Sequence, residues 1–356
     1  MIIHLDKSCY IVVGGKKSVQ QMKSEIEANP LTLCGGEMKE KVSDKYLGDF
    51  IHSSGTEASV FCTVSNRFPR ISTCIVETRA IIDDCRVNTV GGLVAGLDIW
   101  ELAIIPSLMN NCQTWINIGK NSLDMLEDLQ NTMYRTLLCV PKSCPMPSLV
   151  WDMGGILMSY RVIWRKLEFM WTLVNMDEGS LAKEIFMIQK SHELPGLVQE
   201  CKQWIREYDL PDVLEKKMSK NEWKQLVKKA VVKENEETLK KRMSNYEKLK
   251  NSELISEEFG LKDYVKKLDV HKARIIFKKR SSMTQYVKMN YMSDVSNIKT
   301  CWQCQSCSSS IDSMGHVLRC PSYQELREGK DLDCDRDLAK YLHDVFLIRS
   351  KLDIDI

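Results

Sequence analysis

The chain has 356 residues, a hydrophobic fraction of 44% and a formal net charge of +2 at pH 7. This length is sufficient for two or three domains with a sizeable core, and the composition is that of an ordinary soluble protein. The longest apolar stretch, GGLVAGLDIWELAIIPSLM, is interrupted by Asp98, Glu101 and Pro106. It therefore predicts a buried pair of helices and not a membrane span, and we expect no membrane association.

The first 55 residues predict a small β element. The stretch HLDKSCYIVVGGKKSVQQMKSEIEA indicates a strand over residues 9–13, a turn at Gly14 and Gly15, and a short polar helix. The stretch LTLCGGEMKEKVSDKYLGDFI then predicts two strands joined through Gly35 and Gly36. We therefore expect a small N-terminal antiparallel β element.

From about Thr56 the pattern becomes helical, so the fold is predicted to be mainly α. The stretch SLDMLEDLQNTMYRTLLCVP predicts a helix with Ser122 as its N-cap and Pro141 as its stop. The residues that share its apolar face are Leu123, Leu126, Leu129, Met133 and Leu137. The spacing is typical of a helix that packs against a core.

A second helix is predicted over ILMSYRVIWRKLEFMWTLV, with Arg161, Arg165 and Lys166 facing solvent. Residues 211–250 predict a long amphipathic helical segment with lysines on its polar face. Its inward-facing residues are predicted to be Trp223, Leu226, Val227, Ala230 and Val231.

The charge is unevenly distributed along the chain. Residues 211–300 contain 22 Lys/Arg and 13 Asp/Glu, an excess of nine positive charges, and the remainder of the chain carries an excess of seven negative charges. Basic helices of this kind favour phosphate-bearing partners, RNA or DNA. We expect Lys228, Lys229, Lys240 and Lys241 to bind nucleic acid through its phosphates.

A metal-binding pattern follows the basic region, in the stretch CWQCQSCSSSIDSMGHVLRCP. Two ligand sets have suitable spacing: Cys304, Cys307, His316 and Cys320, or the same set with Cys301 in place of Cys307. Either set supplies three thiolates and one imidazole, which predicts a closed structural zinc site and no catalytic metal. Fourteen cysteines at irregular positions, without a signal peptide, favour an intracellular compartment, nucleus or cytoplasm.

Three stretches, in this order, resemble the carboxyl-terminal part of non-LTR (LINE-type) retrotransposon reverse transcriptases. HLDKSCYIVVGG with KYLGDFI is similar to the end of the polymerase palm and its primer-grip hairpin. LEDLQNTMYRTLLCVPKSCP with WDMGGILMSYRVIWRKLEFMW is similar to the helical thumb and the region after it. WQCQSCSSSIDSMGHVLRCPSYQELREGKDL resembles the terminal Cys-Cys-His-Cys zinc element.

The resemblance implies a choice of metal ligands and a stacking residue. In that family a bulky residue usually lies two positions before the first metal ligand. The position of Trp302 therefore favours Cys304, Cys307, His316 and Cys320 as the ligands, and Cys301 is then a thiol that binds no metal. In such an element Trp302 and Tyr323 have two possible roles: they would stack on nucleic-acid bases, an interaction of about 1–3 kcal/mol per base, or they would cover the small metal core.

The resemblance also implies what is missing for catalysis. A polymerase of this family holds Mg²⁺ on an Asp-Asp turn just before the strand with which this chain begins, and no such turn is present in this sequence. Lys7 resembles the lysine of the motif that follows this turn, and without the aspartates it is interpreted as an ordinary lysine at a strand edge. The adjacent Asp83 and Asp84 follow the hairpin, on the wrong side, and are interpreted as a solvated helix end. We therefore expect this chain alone to be inactive as an RNA-directed DNA polymerase, with Mg²⁺ a cofactor only of a complete enzyme that includes a missing N-terminal polymerase portion.

The predicted organisation has five consecutive segments. Their ranges are 1–55 for the remnant of the palm, 56–190 for a thumb-like helical bundle, 191–299 for a basic helical region, 300–325 for the zinc knuckle and 326–356 for a C-terminal helix and tail. The predicted function is nucleic-acid binding by a fragment or remnant of a reverse transcriptase. The alternative is a helical protein-interaction module with a structural zinc site and no nucleic-acid role.

Overall fold

The computed structural model describes residues 9–12, 16–33, 36–46, 48–84, 89–193, 195–214, 218–246, 249, 258–281, 283, 303–304 and 306–352. The described chain is mainly helical, and its named strands all lie between Cys9 and His52. This confirms the predicted fold class. None of the described helices combines the length and the apolar character needed to cross a bilayer.

The strands form three separate two-stranded ladders. They are β1 (Cys9–Tyr10), β2 (Thr32–Leu33), β3 (Gly36–Glu37), β4 (Lys39–Glu40), β5 (Ser43–Tyr46) and β6 (Asp49–His52). Strands β2 and β3 pair antiparallel, as do β5 and β6, whereas β1 pairs parallel with β4. Gly36 therefore lies in a strand and not in the predicted turn, and four short strands, β3 to β6, take the place of the second predicted strand.

The α-helices, numbered in chain order, take up most of the remaining described residues. They are α1 (Lys16–Ala28), α2 (Thr56–Asp83), α3 (Gly92–Ile99), α4 (Ile105–Leu108), α5 (Lys120–Leu138), α6 (Met146–Asp152), α7 (Met158–Val174), α8 (Leu181–Ser191), α9 (Leu197–Glu207), α10 (Lys220–Ser244), α11 (Asp263–Lys267), α12 (Val270–Arg280), α13 (Met314–Val317), α14 (Gln324–Arg327) and α15 (Asp335–Leu352). A π-helical segment, Trp100–Ile104, separates α3 from α4, so the predicted pair of helices is one run of three segments.

The start of α5 differs from the prediction. The helix begins at Lys120, and Ser122 is buried within its first turn, where its N–H donates to the Gly119 carbonyl at 3.1 Å. Ser122 is therefore not the N-cap. The helix ends at Leu138, before Pro141. Leu126, Leu129, Met133 and Leu137 are buried as their spacing predicts, whereas Leu123 is half-buried.

The chain divides into two compact units. The first unit consists of residues 1–72, 105–129 and 158–231, and the second of residues 73–104, 130–157 and 232–356. Each unit combines three stretches that are distant in sequence, whereas the predicted segments are consecutive. The boundaries of those five segments stay a prediction.

In the first unit, α7 packs against α8, α9 and a short 3₁₀ turn at Cys112–Thr114. Trp223 of α10 is buried and donates its indole N–H to the Leu167 carbonyl at 2.9 Å. The prediction that Lys166 faces solvent is wrong: its side chain is 2% exposed and its ammonium lies 2.6 Å from the Glu200 carboxylate. A buried lysine needs such a partner because an uncompensated charge in the interior is costly.

In the second unit, α12 packs against α11 and α15, and α15 also packs against α14. A buried carboxylate, that of Asp152, joins α6 to this group of helices. It accepts hydrogen bonds from the Tyr264 hydroxyl at 2.9 Å and the Arg280 guanidinium at 2.8 Å. These contacts order the helices on which the C-terminal Cys/His region rests.

Candidate metal centre

Four side chains of the second unit meet near the C-terminal helix. They are Cys304, Cys307, His316 and Cys320, and their potential donor atoms all lie within 4.8 Å of one another. The Sγ atoms of Cys304 and Cys320 are 4.0 Å apart, and Cys307 Sγ lies 3.2 Å from His316 Nε2. The structure thus brings together one of the two predicted ligand sets. Cys301, which belongs to the other set, lies outside the described residues.

A tight turn presents the first two cysteines. Gln303 and Ile311 form an antiparallel bridge, and the Cys304 N–H donates to the Ser310 carbonyl at 2.9 Å. Ser308 adopts a left-handed conformation with φ 53°, and its N–H donates to the Cys304 carbonyl at 2.8 Å. The hydrogen bond from Ser308 to Cys304 closes a turn over residues 304–308, which brings Cys307 close to Cys304.

The last two ligands come from a short helix and the turn that follows it. Ser313 caps α13, and its hydroxyl accepts from the backbone N–H of His316 at 3.2 Å. Cys320 comes directly before a 3₁₀ turn at Pro321–Tyr323, and its carbonyl accepts from Arg327 Nη1 at 2.7 Å. The imidazole and the third thiol are therefore held by hydrogen bonds of the backbone around them.

Two of the donor-atom separations can be compared with those expected around a tetrahedral ion. Metal–sulfur bonds of about 2.3 Å and metal–nitrogen bonds of about 2.0 Å place tetrahedral ligands about 3.8 Å apart for two sulfurs and about 3.5 Å for sulfur and nitrogen. The sulfur pair at 4.0 Å and the sulfur–nitrogen pair at 3.2 Å lie close to these values. The four residues could hold a metal ion, and with four protein donors the coordination is complete.

The thiols differ in acidity. Burial by itself raises the pKa of Cys307, but hydrogen bonds from the Ser309 hydroxyl and backbone, and from neighbouring thiols, outweigh burial and lower the pKa to about 6. Burial raises the pKa of the Cys320 thiol to about 11. A bound cation favours thiolates, so metal binding at this cluster releases protons at neutral pH.

A buried ion pair lies behind the cluster. Arg349 of α15 is 1% exposed, and its Nη1 lies 2.8 Å from a carboxylate oxygen of Asp312, which is also 1% exposed. The same guanidinium donates to the Tyr323 hydroxyl at 2.9 Å and lies 3.5 Å from Cys304 Sγ. The sequence predictions did not include Arg349. The sequence nevertheless indicates that Arg349 is buried, because this charged residue occupies an inward position on the apolar face of a helix. It lies three residues after Phe346 and seven residues after Leu342, and both of these are buried.

The buried position of Tyr323 excludes one of its two predicted roles, stacking on a base. Its side chain is 1% exposed, and its hydroxyl contacts Ser306 as well as Arg349. Its ring is therefore packed among residues that neighbour the metal-binding cluster and is not available to stack on a base. Trp302, the other predicted stacking residue, lies outside the described residues, and so does Lys7.

The four lysines predicted to bind nucleic acid lie on α10 and are exposed. The helix contains eight Lys/Arg and four Asp/Glu residues. Lys240 is partly neutralised, because its ammonium lies 2.8 Å from Glu236 and 5.7 Å from the centre of the Trp151 ring. Within the described part of the chain, Lys228 and Lys229 show no such ion pair.

Asp83 is the last residue of α2 and is exposed, as predicted for a solvated helix end, and its carboxylate also forms ion pairs. Its carboxylate lies 2.7 Å from Arg274 and 3.1 Å from Arg79. Burial alone raises the pKa of Asp83, but the two arginines outweigh this and lower it. A carboxylate held between two arginines serves the packing of α2 and α12 and is unsuited to binding a catalytic cation.

No protein family model matches the chain, and neither the curated proteins nor the solved structures include a significant match. The likeness to LINE-type reverse transcriptases therefore depends on the sequence stretches alone.

Proposed function

We propose that this chain binds RNA or DNA through the basic surface of α10, with a zinc ion that stabilises its C-terminal Cys/His cluster. The observation that carries the proposal is the exposure of Lys228, Lys229, Lys240 and Lys241 on one helix. Lysine ammonium groups bind phosphates without regard to base sequence, and they release condensed counterions when they do so.

Zinc is the ion that best suits the cluster. Three thiolates and one imidazole form a ligand set that Zn²⁺ takes in tetrahedral structural sites, whereas Mg²⁺ and Ca²⁺ require oxygen ligands. Since the four protein donors leave no position for water, the ion supports the fold of the segment and does not activate a nucleophile.

The relation to the carboxyl-terminal part of LINE-type reverse transcriptases is part of the same proposal. In that setting the helices would hold a template–primer duplex, element RNA or target DNA. We expect no primer extension by this chain with Mg²⁺ or Mn²⁺, because Asp83 is held by Arg79 and Arg274 and cannot replace the aspartate pair of a polymerase. Template-dependent incorporation above a heat-inactivated control would contradict this expectation.

A salt series on wild type and a lysine variant tests nucleic-acid binding. If the surface neutralises four or five phosphates, the log–log salt slope on duplex DNA is about −4, since each phosphate contributes about 0.9. Changing Lys228, Lys229, Lys240 and Lys241 to Gln should flatten the slope by about 2.7, to about −1.3, and weaken binding to all sequences alike.

The matched control changes four exposed lysines outside residues 211–300 to Gln, namely Lys39, Lys120, Lys142 and Lys340. It lowers the net charge equally, so a general charge effect would change both variants by the same amount. Equal slopes for the two variants, or no binding by wild type at low salt, would refute the proposal.

One observation favours the alternative of a protein-interaction module. In α8 the side chains of Leu181, Ile185 and Ile188 are 71%, 48% and 52% exposed and share one helix face at i, i+4 and i+7. An exposed apolar face of this kind is typical of a surface that another protein covers. If this face binds another protein, changing all three residues to Ser should abolish that protein–protein association and leave nucleic-acid binding unchanged.

A further inference from the structure

A groove in the first unit combines cationic and aromatic side chains. It has a volume of about 230 Å³ and lies between α7 and the first turns of α10. Arg165, Lys220 and Lys224 supply three positive charges, and Trp171 and Phe169 supply aromatic surface. Both α7 and α10 present this surface by helical spacing: residues 165, 168, 169 and 172 share one face of α7, and residues 220 and 224 share one face of α10.

The single carboxylate in the groove is already engaged. Glu168 accepts a hydrogen bond from the indole N–H of Trp164 at 2.9 Å. Within the described residues Arg165 and Lys224 have no ion pair, and both are exposed. The groove therefore carries an excess of two positive charges, which attracts an anion.

The indole of Trp171 is held in place before any ligand arrives. Its N–H donates to the Met218 carbonyl at 3.2 Å, which fixes the orientation of the ring. The ammonium of Lys220 lies over the ring at 5.9 Å from its centre. A planar ligand can occupy this face when the flexible lysine turns to an adjacent phosphate, and little conformational entropy is lost because the ring is already ordered.

We infer that this groove binds one nucleotide of a single-stranded nucleic acid, with the phosphate on Arg165, Lys220 and Lys224 and the base against Trp171. The inference rests on the proposed nucleic-acid binding and names a second, separate contact for it. A fixed aromatic ring beside clustered cations is the arrangement that single-strand binding requires, because every base has a face that can stack. Bases within a duplex are already stacked on their neighbours, and a groove of this size is too small for a duplex.

The groove differs in chemistry from the exposed lysines Lys228 and Lys229 further along α10. Those lysines offer charge alone, so their contribution should be equal for paired and unpaired strands. The groove adds an aromatic surface, and its contribution should depend on the presence of an unpaired base. This difference allows the two contacts to be tested independently.

The first experiment maps contact directly on the wild-type chain. An oligothymidine is crosslinked to the protein by ultraviolet light, and the modified peptide is identified by mass spectrometry. The expected crosslink lies on the tryptic peptide that contains Phe169 and Trp171. A strand that crosslinks only to peptides outside residues 165–172 and 220–224 would overturn the inference.

The second experiment compares variants by fluorescence anisotropy with labelled oligothymidine, the same strand carrying abasic sites, and a duplex. The double change Arg165→Gln and Lys224→Gln should reduce the single-strand salt slope by about 1.4, at about 0.7 per phosphate. The matched control is Arg70→Gln with Lys120→Gln, an exposed arginine and an exposed lysine of the same unit, which should leave the slope unchanged.

Trp171 provides the test for the base. Trp171→Leu should weaken the affinity for oligothymidine at least fivefold and leave the affinities for the abasic strand and the duplex unchanged. Trp171→Phe keeps a ring for stacking and should restore the affinity for oligothymidine. If the leucine variant does not fold, the phenylalanine variant and the crosslink still test whether a base contacts the ring at position 171. Equal loss on all three ligands would overturn the inference, as would competition by a phosphopeptide without any requirement for a base.

The outcomes distinguish this inference from the proposed function. If the groove variants behave like wild type while the α10 lysine variant loses duplex and single-strand binding, only the groove is refuted. If the wild-type chain binds neither ligand at low salt, the proposed function fails and the groove with it.

Discussion

The Cys/His cluster and the basic surface of α10 show two different ways in which polar residues serve a protein. In the cluster, Cys304 and Cys320 are buried, and the adjoining Arg349 and Asp312 form an ion pair that is 1% exposed on each side. On α10, Lys228 and Lys229 are exposed and form no ion pair with the described residues, whereas Lys240 pairs with Glu236. The residues of the cluster therefore depend on contacts with buried partners, whereas the lysines of α10 act through their exposed charge.

The contrast has energetic consequences. A buried group without its partner loses solvation that nothing replaces, so removing one member of the cluster should be costly. An exposed lysine is solvated whether or not a ligand is bound, so its removal should leave the fold unchanged. Mutations in the cluster should therefore affect folding and metal content, and mutations on α10 should affect only binding.

The largest effect is expected for loss of a ligand in the cluster. Cys304→Ser and Cys320→Ser should each abolish binding of about one zinc per chain, because a structural zinc site contributes folding free energy directly. Metal analysis gives the stoichiometry, and hydrogen exchange should show loss of protection over residues 303–352.

Two other cysteines serve as controls. Cys334→Ser changes an exposed cysteine of the same unit, outside the cluster, and should retain the metal. Cys301→Ser should also retain it. Loss of zinc in Cys301→Ser together with retention in Cys307→Ser would mean that the other ligand set binds the ion.

The next largest effect is expected for Arg349. Arg349→Met keeps the length of the side chain but leaves the buried carboxylate of Asp312 without its cation, which should lower the free energy of unfolding by about 3–5 kcal/mol. Chemical denaturation of the zinc-loaded protein measures this. Arg336→Met, at an exposed position of the same helix, should cost less than about 0.5 kcal/mol. Equal losses in both variants would show that α15 tolerates no substitution, whatever its partner.

A smaller effect should separate the two lysine pairs of α10. Lys228→Gln with Lys229→Gln should reduce the salt slope on duplex DNA by about 1.8. Lys240→Gln with Lys241→Gln should reduce it by about half as much, because Lys240 already lies 2.8 Å from Glu236 and near the Trp151 ring. Filter binding across a salt series measures both slopes, and a larger change for the second pair would refute the role assigned to the ion pair.

The smallest effect concerns pH. His271 Nε2 of α12 lies 2.9 Å from His343 Nδ1 of α15. Burial lowers the pKa of His271 below its usual value of 6.5, and His343, Lys278 and Arg274 lower it further, while Asp269 opposes them. The neutral ring is therefore favoured in the folded state, so the stability it contributes is present above pH 6.5 and is lost as pH falls through the lowered pKa.

The corresponding measurement compares the free energy of unfolding of wild type and His271→Gln between pH 7.5 and about pH 5. Loss of metal from the thiolates affects both proteins alike, so the difference between the two curves isolates the histidine. The curves should converge as pH falls. A constant offset at all pH values would show that His271 acts by packing alone.

The sequence by itself determined features that depend on local spacing. Periodic apolar residues predicted the mainly helical fold and the buried face of α5, with Leu126, Leu129 and Met133 at its core. The Cys-x2-Cys and His-x3-Cys spacings predicted a compact cluster, because a knuckle and a short helix bring their ligands together within about 20 residues of chain. Sequence spacing was sufficient where the partners lie close along the chain.

Only the tertiary structure decided which charged residues are buried. Lys166 follows the exposed Arg165 on α7 and appeared equally polar, yet it is buried against Glu200 of α9. Arg349 lies 37 residues from Asp312, and Tyr323, which spacing alone left free to stack, is covered by the same arginine. A charge is buried only when a partner reaches it, and a partner that is distant in sequence leaves no periodic pattern in the chain.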